Sequence, residues 1–384
     1  MNHSITLISS YYEPEISPAT NRINPLISEL LRKGFYVNVI SLAEKNTVKS
    51  RILKKGRLTI YYFESGKYKG TSFVLRALFE IYQSFFLIVR ARTLKTDLYV
   101  ITMPSIFLIP FASYLLSGMK LLDIRDLVWE YLGDGRVKSI ISKVMYSCML
   151  KFDKLVVTNL SEQTIINNQI GVNVDIMSNG ISQERFSALS RIGYIKKVKP
   201  VITYVGNLGI AQNLLVLIRA VDILNRKLGI NIDLKLVGHG KHDFLLKKFV
   251  KDNNIKNINF VGLVEWSELS NIYEDTSLLY AQISEEYSSA MPSKLYEYAA
   301  TGLPILYGGC GQATTFINLL ENASVIPPDS VDALVSFLYL YNWEDLTVSN
   351  YNKKFIEENF IREKIYQNYV GLIEGLVAGK NNSK

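Results

Sequence analysis

Short apolar segments alternate with helix-like segments along almost all of the 384 residues, and this alternation constrains the fold more than any other feature. Residues 20–33 have apolar side chains at the spacing of an amphipathic helix, and Gly34 follows as a stop signal. Such repetition predicts an α/β fold with largely parallel, doubly wound sheets. The first-half strands are predicted at 5–9, 36–41, 58–63, 98–102, 120–124, 154–158 and 173–177.

The same alternation starts again after a polar, basic stretch that follows the Asn179-Gly180 turn. The chain is about two to three times the ~150 residues expected of one domain. We therefore expect a first domain over 1–183, a linker over 184–199 and a second doubly wound domain over 200–358, with a late helix at 361–375. The second-half strands are predicted at 201–205, 232–237, 258–260, 277–281, 304–307 and 323–325.

Composition excludes several classes of protein. Hydrophobic residues make up 48% and charged residues 20% of the chain, as in globular domains and unlike disordered or fibrous proteins. Cys148 and Cys310 lie far apart without a CxxC partner, and there are three histidines, so neither a disulfide framework nor a metal site is favoured. We expect no cofactor. The N-terminus shows no signal peptide, and a cytoplasmic location is expected.

A net charge of +8 favours an anionic partner, such as a nucleoside diphosphate, lipid headgroups or nucleic acid. Residues 98–119 contain no charge and are long enough for a membrane span, but two prolines interrupt them and 98–102 is typical of a buried strand. Residues 73–95 and 136–150 predict amphipathic helices with basic residues. Such helices contact a membrane surface or pack on a sheet, and both interpretations stay open.

Ligands of doubly wound folds bind where strands end in loops, so the loops after strands contain the candidate site residues. Tyr11-Tyr12-Glu13-Pro14-Glu15 follows the first strand and contains no GxGxxG motif, which argues against an NAD enzyme. It is typical of a covering loop or of an ordinary connection. Arg125, Asp126 and Trp129 follow the strand at 120–124, and they indicate either a substrate pocket or a surface ion pair.

Two glycine-rich turns follow successive strands of the second half. A helix predicted to begin near Gln212 adds free backbone N–H groups to the first turn. Because a diphosphate needs backbone donors and positive charge in one place, the two turns together predict a diphosphate site. Its candidate residues are Gly206, Asn207, Gly209, Gly238, Gly240 and Lys241.

The most specific motif extends from Met291 to Pro304. Its Pro292 suits a first helical turn, and its Gly302 suits the end of the helix. Lys294 adds a full positive charge to the partial charge of the helix N-terminus, and Glu297 projects to the same face. This arrangement fits a phosphate at the helix tip with ribose hydroxyls on the carboxylate. An i,i+3 salt bridge is the alternative.

In order and spacing, these motifs resemble those of retaining glycosyltransferases of family 4, and the chain is similar to bacterial surface-polysaccharide enzymes such as N-acetyl-fucosaminyltransferases. The resemblance covers nearly the whole chain. It implies the GT-B fold, in which two Rossmann-like domains face a cleft and the last helix returns to the first domain. Its motifs are the Tyr-Tyr-Glu-Pro-Glu loop, Arg125-Asp126, Ser178-Asn179-Gly180-Ile181, the two glycine-rich turns and Pro292-Ser293-Lys294-Leu295-Tyr296-Glu297-Tyr298.

The resemblance implies transfer of a sugar from a nucleotide-sugar donor, usually UDP-linked, in O-antigen, capsule or exopolysaccharide synthesis. The implied acceptor is an undecaprenyl-diphosphate-linked saccharide at the inner-membrane surface, with the enzyme peripheral at its cytoplasmic face. Glu297 matches the ribose-binding carboxylate. The implied base-lining residues are Val261 and Leu263, the diphosphate cradle is Pro292, Ser293, Lys294 and Leu295, and the catalytic candidates are Asp126, Lys294 and Glu13.

The chain departs from the family pattern at three places. Ser289 stands where many relatives have a second Glu, residues 206–213 contain no Arg or Lys, and His3 is the only histidine of the first domain. Lys294 and Lys241 must then supply the positive charge. A nucleotide-sugar epimerase or hydrolase of the same fold is the alternative enzyme. A nucleic-acid-binding protein is the alternative from another class, although no nucleic-acid-binding fingerprint is present.

Overall fold

The computed structural model describes residues 3–14, 18–44, 51–66, 68, 70–103, 105–133, 135–193, 198–288 and 291–382. Glu15 and Ser289 therefore lie outside the described residues. The chain forms two compact units. Unit 1 comprises Met1–Asn179 and Glu363–Lys384, and unit 2 comprises Gly180–Arg362.

Unit 1 contains an eight-stranded sheet with helices on both faces. Its strands are β1 (Ser4–Ser9), β2 (Tyr36–Ala43), β3 (Ile52–Lys55), β4 (Leu58–Glu64), β5 (Leu98–Thr102), β6 (Met119–Asp123), β7 (Lys154–Val157) and β8 (Val174–Ile176). Its helices are α1 (Pro18–Arg32), α2 (Phe73–Arg92), α3 (Leu108–Leu115), α4 (Arg136–Met149), α5 (Leu160–Ile170) and the last helix of the chain, α14 (Arg362–Asn382), which begins one residue before the boundary.

The strand order β3-β4-β2-β1-β5-β6-β7-β8 places the first strand near the centre of the sheet. Leu7 of β1 pairs with Val39 of β2 on one side and with Val100 of β5 on the other, both in parallel. All five residues of β5 are buried, which explains its continuous apolar sequence. The edge strand β3 is antiparallel to β4 and was not predicted.

Helix α14 packs in unit 1, although the chain reaches it only after unit 2 is complete. Its Tyr369, Val370, Ile373 and Val377 are buried against residues of β1, β2 and α1. Burial of each aliphatic side chain contributes about 1.5–3 kcal/mol, so this contact is a substantial part of the stability of unit 1. The resemblance placed the late helix 361–375 in the same domain.

Unit 2 contains a six-stranded parallel sheet in the order β11-β10-β9-β12-β13-β14. Its strands are β9 (Val201–Val205), β10 (Asp233–Val237), β11 (Ile258–Gly262), β12 (Leu278–Gln282), β13 (Ile305–Gly308) and β14 (Ala323–Ile326). Its helices are α6 (Gln183–Leu189), α7 (Leu215–Lys227), α8 (Asp243–Asp252), α9 (Trp266–Glu274), α10 (Lys294–Thr301), α11 (Gln312–Ile317), α12 (Val331–Leu340) and α13 (Asn350–Asn359).

The helices of unit 2 cover both faces of its sheet. Thr203 of the central strand β9 pairs with Lys235 of β10 and with Leu279 of β12, so the turns after these three strands lie at one edge. Helices α7, α8 and α12 bury apolar side chains against one face, while α6, α9, α10, α11 and α13 do so on the other. This is a doubly wound α/β arrangement.

The boundary between the units differs from the predicted linker at 184–199. Helix α6 lies inside that range, and its Phe186 and Leu189 are buried in the core of unit 2. The Ser182 hydroxyl caps this helix by accepting a hydrogen bond from the Arg185 N–H. The chain instead changes unit at Asn179–Gly180 and at Arg362–Glu363.

No helix among the described residues combines the length and the apolar character needed to cross a membrane. The uncharged segment 98–119 instead contains strand β5 and helix α3.

Candidate functional site

Two glycine-rich loops lie in contact at the edge of the unit 2 sheet where β9 and β10 end. The Gly206 N–H donates to the Val237 carbonyl oxygen at 2.9 Å, and the Leu208 N–H donates to the His239 carbonyl oxygen at 3.1 Å. Gly238 has a φ of +127°, and a Cβ at this position would overlap the Gly206 carbonyl oxygen. A residue with a side chain therefore does not fit at position 238 without displacing backbone.

The structure brings the predicted residues of the two turns together. The helix that was expected directly after the first turn, however, begins later in the chain. A Cβ on Gly240 would overlap the Leu208 carbonyl oxygen, so the second loop stays against the first along its length. The Lys241 side chain is exposed. The helix predicted near Gln212 is only a short 3₁₀ turn, and α7 begins at Leu215, because the left-handed Asn213 separates the two.

Lys294 reaches the first glycine-rich loop from the start of α10. Its Nζ donates to the Tyr204 hydroxyl at 2.5 Å and lies 3.7 Å from the centroid of the same ring. The Tyr204 hydroxyl in turn donates to the Asn207 carbonyl oxygen at 2.7 Å. A Cβ on Gly206 would lie 2.7 Å from the lysine Nζ. Burial lowers the pKa of Lys294 to about 7, although the nearby Glu297 carboxylate opposes this shift.

Helix α10 is fixed to the end of β9 by a buried tyrosine. The Val205 N–H donates to the Tyr298 hydroxyl at 2.8 Å, and Leu295 is fully buried below the first turn. Gly302 ends the helix in a left-handed conformation with φ +72°, as predicted. Pro292, however, precedes the helix and does not lie in its first turn, since Ser293 is the N-cap.

Glu297 pairs with a residue that the sequence did not indicate. Its Oε1 accepts a hydrogen bond from Arg185 Nη1 at 2.6 Å, and the Arg185 guanidinium lies 4.7 Å from the Trp266 ring centroid. The alternative of an i,i+3 salt bridge with Lys294 is not what the structure shows, because the Lys294 amine points to Tyr204.

The segment expected to line a base adjoins the second glycine-rich loop. The Gly238 N–H donates to the Gly262 carbonyl oxygen at 2.7 Å, which holds the end of β11 beside β10. Val261 is 37% exposed and Leu263 is 81% exposed, so both side chains are open to a ligand.

The catalytic candidates of unit 1 lie where its strands end. Glu13 accepts a hydrogen bond from Asn24 Nδ2 at 2.9 Å, and Asp126 is exposed after β6. The alternative of a surface ion pair in this loop is not what the structure shows, because Arg125 is buried. Its guanidinium bonds the carboxylate of Asp123, the last residue of β6, at 2.6 Å. Trp129 is fully buried in the core of unit 1 and is therefore not part of an open pocket.

Sequence reasoning missed three residues that organise these sites. Arg185 lies five positions after the Asn-Gly turn, in the stretch interpreted as a linker. Tyr204 and Asp123 lie inside predicted strands, where a polar group in an apolar run was the available signal. No group of three or more metal-ligating side chains occurs among the described residues.

Comparison with known protein families finds a match to most of the second unit. Residues 187–340 match the family described as Glycosyl transferases group 1. This region is similar to the glycosyl transferases of group 1. A search of curated protein sequences found no significant match. The matched region includes both glycine-rich loops, Lys294 and Glu297.

Comparison with solved structures shows that the chain has the GT-B fold. Sucrose-phosphate synthase from Thermosynechococcus elongatus superposes with a TM-score of 0.71 at 14% identity, covering 98% of this chain and 100% of that chain. A trehalose-6-phosphate protein from E. coli, bound with UDP-2-fluoro glucose, gives 0.68 at 11% identity, with 97% and 99% covered. The lipopolysaccharide outer core galactosyltransferase WaaB gives 0.64 at 13% identity, again with 97% and 99% covered.

Proposed function

We propose that the protein transfers a sugar from a UDP-linked nucleotide-sugar donor to a saccharide acceptor, with retention of configuration. The observation that carries this proposal is the contact of Lys294 with the paired glycine-rich loops of the region similar to the glycosyl transferases of group 1. Glycines without side chains let a diphosphate approach the main chain, and the lysine supplies positive charge. The neighbour bound with UDP-2-fluoro glucose supports a UDP-linked donor.

The proposed chemistry places charge stabilisation on Lys294. As the bond between the anomeric carbon and the diphosphate oxygen breaks, negative charge accumulates on the leaving UDP, and the lysine ammonium stabilises it. The departing phosphate oxygen accepts the proton of the acceptor hydroxyl, whose oxygen bonds the same face of the anomeric carbon. Glu297 binds the ribose hydroxyls. Asp126 and Glu13 of unit 1 are the proposed acceptor contacts, and we expect the reaction to need no metal ion.

We expect UDP at about 100 times its Kd to raise the melting temperature of the protein by roughly 5–10 °C, because binding to the folded state alone contributes about 2.7 kcal/mol. A thermal-shift screen across UDP, ADP, GDP, CDP and their sugars measures this. Glu297→Gln is expected to reduce the shift. An equal response to all nucleotides, or none, contradicts the proposal.

Analysis of the products separates the proposed reaction from its alternatives. Transfer predicts UDP and a glycosylated acceptor in equal amounts. Release of UDP with an epimerised or free sugar, in the absence of acceptor, identifies the epimerase or hydrolase of the same fold. A salt-dependent gel shift with nucleic acid indicates the binding protein of the other class.

An exposed apolar surface on unit 1 supports a lipid-linked acceptor. Helix α2 exposes seven apolar side chains, each 37–65% accessible, namely Val74, Leu75, Leu78, Tyr82, Phe85, Phe86 and Val89. Helix α4 similarly exposes Val137, Ile140 and Val144. Arg90 and Arg136 on these helices add positive charge. Apolar side chains beside cations are typical of helices that lie on an anionic membrane.

The acceptor proposed for this surface is an undecaprenyl-diphosphate-linked saccharide, used in O-antigen, capsule or exopolysaccharide synthesis at the cytoplasmic face of the inner membrane. The structural neighbour WaaB is a lipopolysaccharide outer core galactosyltransferase, which supports a lipid-linked acceptor class.

We expect the protein to sediment with phosphatidylglycerol vesicles at low salt and the double variant Leu78→Glu, Ile140→Glu to lose most of this binding. Each added carboxylate replaces an exposed apolar side chain and is repelled by the anionic surface. Leu340→Glu is the matched control, since Leu340 is 82% exposed on α12 of unit 2. Failure of the unaltered protein to bind these vesicles overturns the membrane part of the proposal.

A further inference from the structure

One guanidinium group connects three elements of unit 2. Arg185 belongs to α6, the Glu297 carboxylate that it bonds belongs to α10, and the Trp266 ring that it covers begins α9. We propose that Arg185 is a positioning residue for nucleoside recognition, which orients the Glu297 carboxylate toward the ribose hydroxyls of the donor. The proposal rests on the proposed function, because it explains how the donor site recognises the ribose hydroxyls of the nucleotide.

The carboxylate is fixed through one oxygen and open at the other. Arg185 Nη1 bonds Glu297 Oε1 at 2.6 Å, and within the described part of the chain no hydrogen bond reaches Oε2. A carboxylate offers about four acceptor positions, so the second oxygen can accept from a vicinal diol while the first stays anchored. The Glu297 side chain is 18% exposed, which leaves a ligand access to it.

The position of the guanidinium is itself determined by packing. Phe186, the next residue, is buried in the unit 2 core, and the Ser182 cap fixes the backbone N–H of Arg185. Trp266 lies against the same core and begins α9, whose capping box joins Glu265 and Glu268. The arginine therefore connects the carboxylate to the segment that follows β11, where the base is proposed to bind.

The two contacts use different properties of arginine. Its planar fork of N–H donors binds the carboxylate, while its flat face stacks on the indole ring. Lysine can reproduce the charge but not both geometries at once. This difference provides a conservative variant that separates orientation from simple charge pairing.

The test compares UDP with 2′,3′-dideoxy-UDP by calorimetry on the full-length protein. We expect the unaltered protein to prefer UDP at least tenfold, since a site built to hydrogen-bond hydroxyls rejects a ligand without them. Arg185→Gln and Glu297→Gln should each reduce this preference below threefold. The double variant should show no further reduction, because both residues act through the same contact.

Two further variants separate positioning from a merely structural role. Arg185→Lys is expected to retain part of the preference for UDP over 2′,3′-dideoxy-UDP. It replaces Arg185→Gln in the test if the glutamine variant does not fold. Arg219→Gln is the matched control, since Arg219 lies over the Phe249 ring at 5.3 Å on α7. In a transfer assay, Arg185→Gln should raise the donor KM at least fivefold with kcat changed less than twofold.

The outcomes distinguish this proposal from the proposed function. If the unaltered protein prefers UDP and Arg185→Gln retains that full preference, the role of Arg185 is overturned while the donor assignment stands. If the unaltered protein binds no nucleotide, both are overturned.

Discussion

Replacement of Lys294 by Met is expected to lower the rate of sugar transfer at least roughly 100-fold without unfolding the protein. The loss follows from removal of the cation that faces the leaving diphosphate, and one such preorganised group typically contributes 10²–10³ in rate. Methionine keeps the aliphatic stem that packs beside Tyr204. Steady-state kinetics measure the effect, with Lys251→Met at the exposed end of α8 as control. Near-normal transfer by Lys294→Met would exclude the role assigned to this lysine.

The same lysine predicts a dependence of UDP affinity on pH. Burial lowers the pKa of Lys294 to about 7, whereas a bound diphosphate stabilises the ammonium form and raises it. Below pH 7 the Lys294 amine of the free protein is already protonated. Above pH 7, binding must take up a proton, so affinity should fall up to about tenfold per pH unit. Calorimetry between pH 7 and 9 should show this slope in the unaltered protein, with a much shallower one in Lys294→Met.

Replacement of Gly238 by Ala is expected to destabilise unit 2 by roughly 2–5 kcal/mol and to abolish UDP binding. The φ of +127° is unfavourable for alanine, and the new methyl group would occupy the position of the Gly206 carbonyl oxygen. Since that oxygen belongs to the backbone, the two glycine-rich loops must separate. A melting temperature lower by about 5–15 °C is expected by calorimetry.

A second glycine separates the effect of the contact from that of the backbone conformation. Gly229 also has a positive φ, +69°, but a Cβ there would meet nothing within 4 Å. Gly229→Ala should therefore cost only about 1–2 kcal/mol and leave UDP affinity unchanged. Equal losses in the two variants would show that the contact between the loops is not required.

The sequence predicted most strands of both sheets because fully buried parallel strands are continuous apolar runs bounded by turn residues, as in β5 and β12. Strand β3 was missed for the opposite reason. Its residues Ile52–Lys55 are mostly exposed and include two lysines, so no hydrophobic pattern marks this edge strand. Only Gly56, with φ +59°, indicates the turn that pairs it with β4.

The candidate site was predictable in its segments but not in its contacts. Helical spacing places Lys294 and Glu297 on one face, yet the partner of Glu297 lies 112 positions away and the partner of Lys294 lies 90 positions away. Such pairs depend on how separate elements pack. Arg125 shows the same limit, because its partner is the last residue of β6 and not its neighbour Asp126.

The return of α14 to unit 1 determines the order in which the chain can fold during synthesis. The apolar surface later covered by Tyr369, Val370 and Ile373 is synthesised before unit 2, but the helix that covers it is synthesised only after unit 2. At 5–20 residues per second, synthesis of the intervening unit takes roughly 10–40 s. Unit 2 is continuous and can close as soon as it emerges. Unit 1 therefore begins to emerge before unit 2 but completes its core only after unit 2 has been synthesised.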